Sequence, residues 1–351
     1  MAASSGVSNI ITPFDPRGDA CARDFRRRRH VEMSPIGCTR PGRSGDTRGR
    51  SSCGRARREA AMSGSTLGFI GLGRMGGPMS GRLSAAGYRL VGFDAAGTIE
   101  RLPPGATPAG SAAEVAREAD VVCLSLPDSA AARAVCADIA GALDRRVTTV
   151  VDFSTIGIQA ARDCADILRV ADIDYVDAPV SGGVAGARQG TLAVMVGVRA
   201  SVFAEIDPLL AVVAANRFRV GDEPGQGQAM KLLNNFLGAT DLAATSEAVL
   251  FGARMGLDLR QMIDVVNVSS GKNGATLDKF PRSVIPGTYD YGFAAALMTK
   301  DVTLYRESVA AAGTPDDVGE LVTSIWQRFN AACPGKDFTY LYEYLKGESG
   351  T

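Results

Sequence analysis

Between Thr66 and Gly221 the chain repeats one pattern: short apolar runs rich in β-branched residues alternate with Ala/Leu-rich stretches of helical length. Strands are expected at 67–71, 90–94, 121–126, 149–153, 175–179 and 192–196, with a weaker one at 218–221. Helical text lies between them, as at 131–143, 158–170 and 202–213. Apolar runs without polar alternation belong to strands buried on both faces, and a helix after each strand supplies the crossover that a parallel neighbour needs. The pattern specifies an α/β, doubly wound parallel sheet. After Gly225 it stops. Residues 226–255 form one long helical pattern without proline, ending at Gly256. Further helices are expected at 258–268, 293–312, 316–330 and 338–345, so the second domain should be all-α.

The first 61 residues follow other rules. They hold thirteen Arg, no Lys and six acids, a net +7, and the balanced chain therefore leaves −7 on residues 62–351. Rich in Arg, Gly, Ser and Pro and without a sustained apolar period, residues 1–61 are expected to be a disordered head. Three origins stay open: a translation start upstream of the true one at Met62, a mitochondrial presequence (which six acids disfavour), or a basic arm at residues 26–29 for nucleic acid or membrane. No nucleic-acid partner is expected for the body, and no segment approaches the roughly 20 apolar residues of a membrane span. The seven cysteines are scattered without a CxxC pair, as reduced thiols of a cytoplasmic protein would be.

His30, inside the head, is the only histidine. The body therefore has no Ser–His–Asp triad, no Cys–His dyad and no histidine-ligated metal, and no metal site is expected. Any general acid or base must be Asp, Glu, Lys, Tyr or Cys. Lysines are few: 231, 272, 279, 300, 336 and 346.

Gly71-Leu72-Gly73-Arg74-Met75-Gly76 follows the first expected strand and opens a helical pattern. In that context each glycine has a mechanical task. Gly71 makes the tight turn, Gly73 lets a pyrophosphate approach the backbone, and Gly76 lets helix and strand pack closely. The helix N-terminus then offers its N–H groups to the phosphates, which marks a Rossmann-type domain. Asp94 ends the second strand, 23 positions after Gly71, where an acid accepts the hydroxyls of the adenosine ribose. A carboxylate there repels a 2′-phosphate and no Arg follows immediately, so NAD is expected over NADP. Two loops, at Leu126-Pro127 and Ser154-Thr155, leave strand C-termini where ligands collect; turn chemistry alone also accounts for them.

Asp177-Ala-Pro-Val-Ser181-Gly182-Gly183 ends another strand, and its Ser-Gly-Gly turn can aim a hydroxyl and successive N–H groups at one anion such as a carboxylate. On the long helix, Lys231 and Asn235 stand four apart on one face. Polar groups within an apolar helix need partners, and a partly buried lysine of lowered pKa can take and return a hydroxyl proton. Lys300-Asp301, taken alone, reads as an exposed ion pair.

With these residues in view, the chain from about Thr66 to its end resembles the β-hydroxyacid dehydrogenase family, related to 6-phosphogluconate dehydrogenase and including 3-hydroxyisobutyrate dehydrogenase and tartronate, succinic or glyoxylic semialdehyde reductases. The motifs at 71–76, 177–183, 227–235 and 300–301 stand in the family's order. The resemblance implies reversible NAD(P)-dependent oxidation of a short β-hydroxy acid to its semialdehyde, with Lys231 as acid/base. It implies that Ser181, Gly182, Gly183 and Asn235 bind substrate, with Phe293 nearby. Leu126, Pro127, Thr155 and Lys300 would contact the cofactor, with Asp301 beside them. A semialdehyde reductase of the same family is the near alternative. A non-enzymatic dinucleotide-binding reader is the remote one, and its mark would be loss of the lysine. Ala131 departs from a frequent polar residue, and Lys272-Asn273-Gly274 occupies a loop that varies with substrate. The expected organisation is a dinucleotide-binding domain at 65–225 and a helical substrate and dimerisation domain at 226–351, in a homodimer or homotetramer.

Overall fold

Residues 65–348 are described in the computed structural model, and the head read at 1–61 lies outside them. One nine-stranded sheet forms among the described residues. Its first six strands are β1 (Thr66–Ile70), β2 (Arg89–Phe93), β3 (Thr107–Pro108), β4 (Val121–Leu124), β5 (Thr149–Asp152) and β6 (Asp174–Asp177). They lie in the order β3-β2-β1-β4-β5-β6 and every pair is parallel, the strand order of a doubly wound dinucleotide-binding sheet. β1 shows why the apolar runs are continuous. Leu67 and Phe69 enter the hydrophobic core on one face, while Ile70 enters the core on the other. The first core is covered by α1 (Gly76–Ala85) and α6 (Ala200–Val213); the second by α2 (Ala112–Glu118), α3 (Ser129–Gly141) and α4 (Ile158–Arg169). Caps fix where two of these helices begin: Ser111 accepts the Glu114 N–H and Asp128 accepts the Ala131 N–H.

The far edge is not parallel. From β6 the chain passes through β7 (Val180–Ser181) and the short α5 (Gly183–Gln189), turns at Gly190 with φ 72°, and returns as β8 (Ala193–Gly197). β8 is antiparallel to both β7 and β6, and β9 (Asn216–Gly221) adds to it in parallel. An apolar run announces a strand but not its direction, so the sequence shows β8 without showing that it is reversed.

Beyond Gly225 the chain is helical, led by α7 (Gln226–Arg254), followed by α8 (Leu259–Asn267), α9 (Ala295–Ala312), α10 (Asp317–Ala332) and α11 (Leu341–Glu348). Their shared core contains Trp326, Phe280, Phe329 and Phe338. A π-helix at Ala275–Val284 with Pro281 inside it was not expected; proline reads as a helix breaker, yet here the wider turn accommodates it. No helix among the described residues is long and apolar enough to cross a membrane.

Candidate active site

The parallel register sets one row across the sheet: Phe93, Ile70, Leu124, Asp152 and Asp177 are successive partners. The loops that begin one residue later therefore emerge side by side at the C-terminal edge, where such sheets bind ligands. Gly71 leaves β1 with φ 90°, and a Cβ there would lie 2.3 Å from the Ser125 carbonyl. A Cβ at Gly76 would lie 1.8 Å from the Gly71 carbonyl, so only glycine lets α1 start this close to β1. A Cβ at Gly73 would meet nothing within 4 Å, which leaves bare backbone facing open space. This cradle fits a dinucleotide pyrophosphate.

Asp94 follows in the neighbouring loop. Its Oδ2 accepts the Leu72 N–H at 2.7 Å, tying it to the glycine turn, and Oδ1 accepts the Ala96 N–H at 2.8 Å. Oδ1 also accepts Arg101 Nη1 at 3.0 Å. An arginine thus does reach Asp94, seven positions on.

The N-terminus of α7 is clamped onto the sheet by a buried glutamine. Gln228 Nε2 donates to Asp177 Oδ1 at 2.7 Å and to the Ser154 carbonyl at 3.0 Å, while its Oε1 accepts the N–H groups of Ile156 and Gly157. Asp177 Oδ2 in turn accepts the N–H groups of Gly225 and Gln228. Burial pushes the Asp177 carboxyl up to about 6, against the pull of these hydrogen bonds from Gln228 and Gly225. Asp152, one strand over and buried, is also raised by burial. Gly227 allows the approach, since a Cβ there would lie 2.5 Å from the Met195 carbonyl.

One turn beyond the clamp is Lys231, 7% exposed. Burial pulls its pKa from 10.5 to about 8; Asp301 pulls it back up and Lys300 pushes it further down. Asn235 Nδ2 donates to Asp301 Oδ2 at 2.6 Å, and Lys300 Nζ lies 2.9 Å from Asp301 Oδ1. Lys300 also donates to the Thr155 carbonyl, joining α9 to the β5 loop. Lys300-Asp301 is therefore no exposed ion pair: Asp301 is 3% exposed and belongs to the group around Lys231. A lysine that is neutral in part near pH 8, beside an amide and a carboxylate, can exchange a proton with a bound hydroxyl.

Comparison with known proteins bears on what this group does. Residues 66–221 match the NAD-binding domain of 6-phosphogluconate dehydrogenase, and residues 225–345 match the NAD-binding domain of NADP-dependent 3-hydroxyisobutyrate dehydrogenase. The 2-(hydroxymethyl)glutarate dehydrogenase of Eubacterium barkeri is 34% identical over 275 residues, which cover 77% of this chain and 91% of that protein. The chain belongs to the β-hydroxyacid dehydrogenase family. Mitochondrial 3-hydroxyisobutyrate dehydrogenase of Mus musculus, another relative, is 34% identical over 80% of this chain and 87% of its own. The solved structure of Mycobacterium tuberculosis 3-hydroxyisobutyrate dehydrogenase with L-serine is similar at a TM-score of 0.74 and 34% identity, over 80% of this chain and 99% of that one. As a β-hydroxyacid dehydrogenase, the chain is an NAD(P)-dependent oxidoreductase with a Rossmann domain followed by a helical domain.

Leu126 is half-buried, with its N–H on Ser154 Oγ at 2.8 Å, and Pro127 is exposed beside it. Ser181, in β7, pairs with Ala193 of β8, while Gly182 and Gly183 follow at φ 125° and 62°. Arg74 is exposed on the glycine loop, and Met75 packs against the sheet core. Phe293 precedes α9, meets Phe338 edge-on at 5.6 Å and packs against the helical core. Gln228 and Arg101 were not recognised from sequence. A glutamine two residues into an apolar helix, directly after Gly227, was the available signal for Gln228; Arg101 had none.

Proposed function

We propose that the chain reversibly oxidises a short β-hydroxy acid of the 3-hydroxyisobutyrate type to its semialdehyde, with Lys231 as general acid/base. The burial and lowered pKa of Lys231, within reach of the Asp301 and Lys300 charges and of the Asn235 amide that bonds Asp301, carry this reading. A bound nicotinamide supplies the hydride transfer. Lys231 takes the hydroxyl proton in oxidation and returns it in reduction, and Asn235, held by Asp301, orients the substrate oxygen. The Ser181-Gly182-Gly183 turn takes the substrate carboxylate, and Phe293 contributes to substrate binding from the helical domain. The loop from Gly71 to Gly76 takes the pyrophosphate, Asp94 the ribose, and Leu126, Pro127, Thr155 and Lys300 the rest of the dinucleotide. Residues 65–225 serve as the dinucleotide domain and 226–351 as the substrate and dimerisation domain.

An exposed apolar face on α7, including Leu233, Leu237 and Phe251, supports a homodimer or homotetramer. Free, buried Cys123, Cys136 and Cys164 support a reducing, cytoplasmic setting. The test is relative kcat/KM with NAD and NADP on 3-hydroxyisobutyrate, glycerate, 4-hydroxybutyrate and threonate, and in reverse on glyoxylate and succinic semialdehyde. The highest value is expected on 3-hydroxyisobutyrate; a higher one on either aldehyde would assign the chain to the semialdehyde reductases.

A further inference from the structure

The loop after β2 holds a feature that the expectation of NAD over NADP did not include. Asp94 presents its carboxylate at the glycine turn, and Arg101 is brought back beside it by a closed excursion of the chain. Thr98 Oγ1 accepts the Asp94 N–H at 3.0 Å, the Gly97 N–H bonds the Asp94 carbonyl at 3.1 Å, and a 3-10 turn spans Ile99–Arg101. Leu102 then anchors the return: a Cβ at Gly92 would lie 2.5 Å from Leu102 Cδ2, so the glycine in β2 makes the seat for that side chain. Arg101 is held by its neighbour, not left to sample solvent. Its Nη1 lies 3.0 Å from Asp94 Oδ1, and its side chain remains 39% exposed against 9% for Asp94.

We propose that Arg101 is a specificity-determining residue that lets this chain take NADP as well as NAD. The proposal rests on reading the loop from Gly71 to Gly76 as the dinucleotide site. A lone carboxylate at this position repels a 2′-phosphate; a guanidinium in contact with it offsets that charge. A guanidinium carries five N–H donors in a planar fork suited to phosphate oxygens. With NAD, the Asp94 carboxylate accepts a ribose hydroxyl. With NADP, the exposed side of Arg101 meets the 2′-phosphate. One pair thereby serves two ligands, and the arginine matters to only one of them.

Equilibrium titration of NADH and NADPH by nicotinamide fluorescence, on the native chain and Arg101→Ala, reads this without turnover. The native chain should bind both with Kd values within about tenfold. Arg101→Ala should shift the NADPH-to-NADH Kd ratio by about tenfold or more, as expected for a charge-assisted contact, with NADH acting as the internal control for folding. Arg101→Gln serves the same comparison if the alanine variant does not fold. A native preference for NADH beyond about tenfold, or a ratio that moves less than about tenfold on substitution, overturns the proposal while the dinucleotide reading stands. A native chain that binds neither nucleotide overturns both.

Discussion

At Lys231 three influences compete. Burial lowers the pKa, the Asp301 carboxylate raises it and the Lys300 ammonium lowers it, leaving about 8. Oxidation needs the neutral amine to accept the hydroxyl proton, so kcat/KM for the hydroxy acid should climb as pH rises through about 8 and level off above it. Reduction needs the ammonium and should fall over the same range. Asp301→Asn removes the one influence that raises the pKa, yet keeps an oxygen for Asn235. Its pH profile should therefore have the rising limb at lower pH than the native chain; a limb that stays put or moves upward would show that Asp301 does not act on Lys231. Lys231 was legible because few lysines exist and the body has no histidine to compete for its role. Asp301 was not, because two adjacent opposite charges look the same on paper whether they are solvated or buried.

The element that matters most is α7, which carries Lys231 and Asn235 and is placed by its first turn. Gln228 meets partners at 154, 156, 157 and 177, separated from it by fifty or more positions, and no local pattern reports such contacts. Gln228→Ala would leave two buried N–H groups, the Ser154 carbonyl and the Asp177 carboxylate short of a partner, and should lower stability to urea by about 3 kcal/mol or more, since each orphaned buried group costs about 1–3 kcal/mol. Gly227→Ala forces a methyl against the Met195 and Asp177 carbonyls. It should cost about 1–3 kcal/mol in the same urea titration and reduce kcat as Lys231 is displaced. Unchanged urea midpoints would mean that the clamp does not hold the helix. The strands were legible for the opposite reason: burial on both faces of β1, β4 and β5 writes itself into consecutive residues. β3 was missed because its two residues are both exposed, and β7 because it is only two residues long.

For the whole molecule, the two sheet cores and the helical core were foreshadowed by the switch from strand–helix alternation to helices alone, and a helical second domain was expected to self-associate. Leu237 and Phe251 on α7 are 53% and 68% exposed, an apolar face that a self-associating chain would cover. Sedimentation should show a dimer or larger species, and Leu237→Glu should shift it toward monomer; a native monomer would refute that reading. The two domains meet at the junction where Lys300 joins the β5 loop and α7 brings in Lys231. The most direct measurement is kcat/KM of Lys231→Ala against the native chain on the preferred hydroxy acid, with NADH binding titrated alongside. A fall of about 10²–10⁴ is expected, with NADH affinity unchanged. A variant that binds NADH normally and turns over within about tenfold of the native chain would contradict Lys231 as the general acid/base.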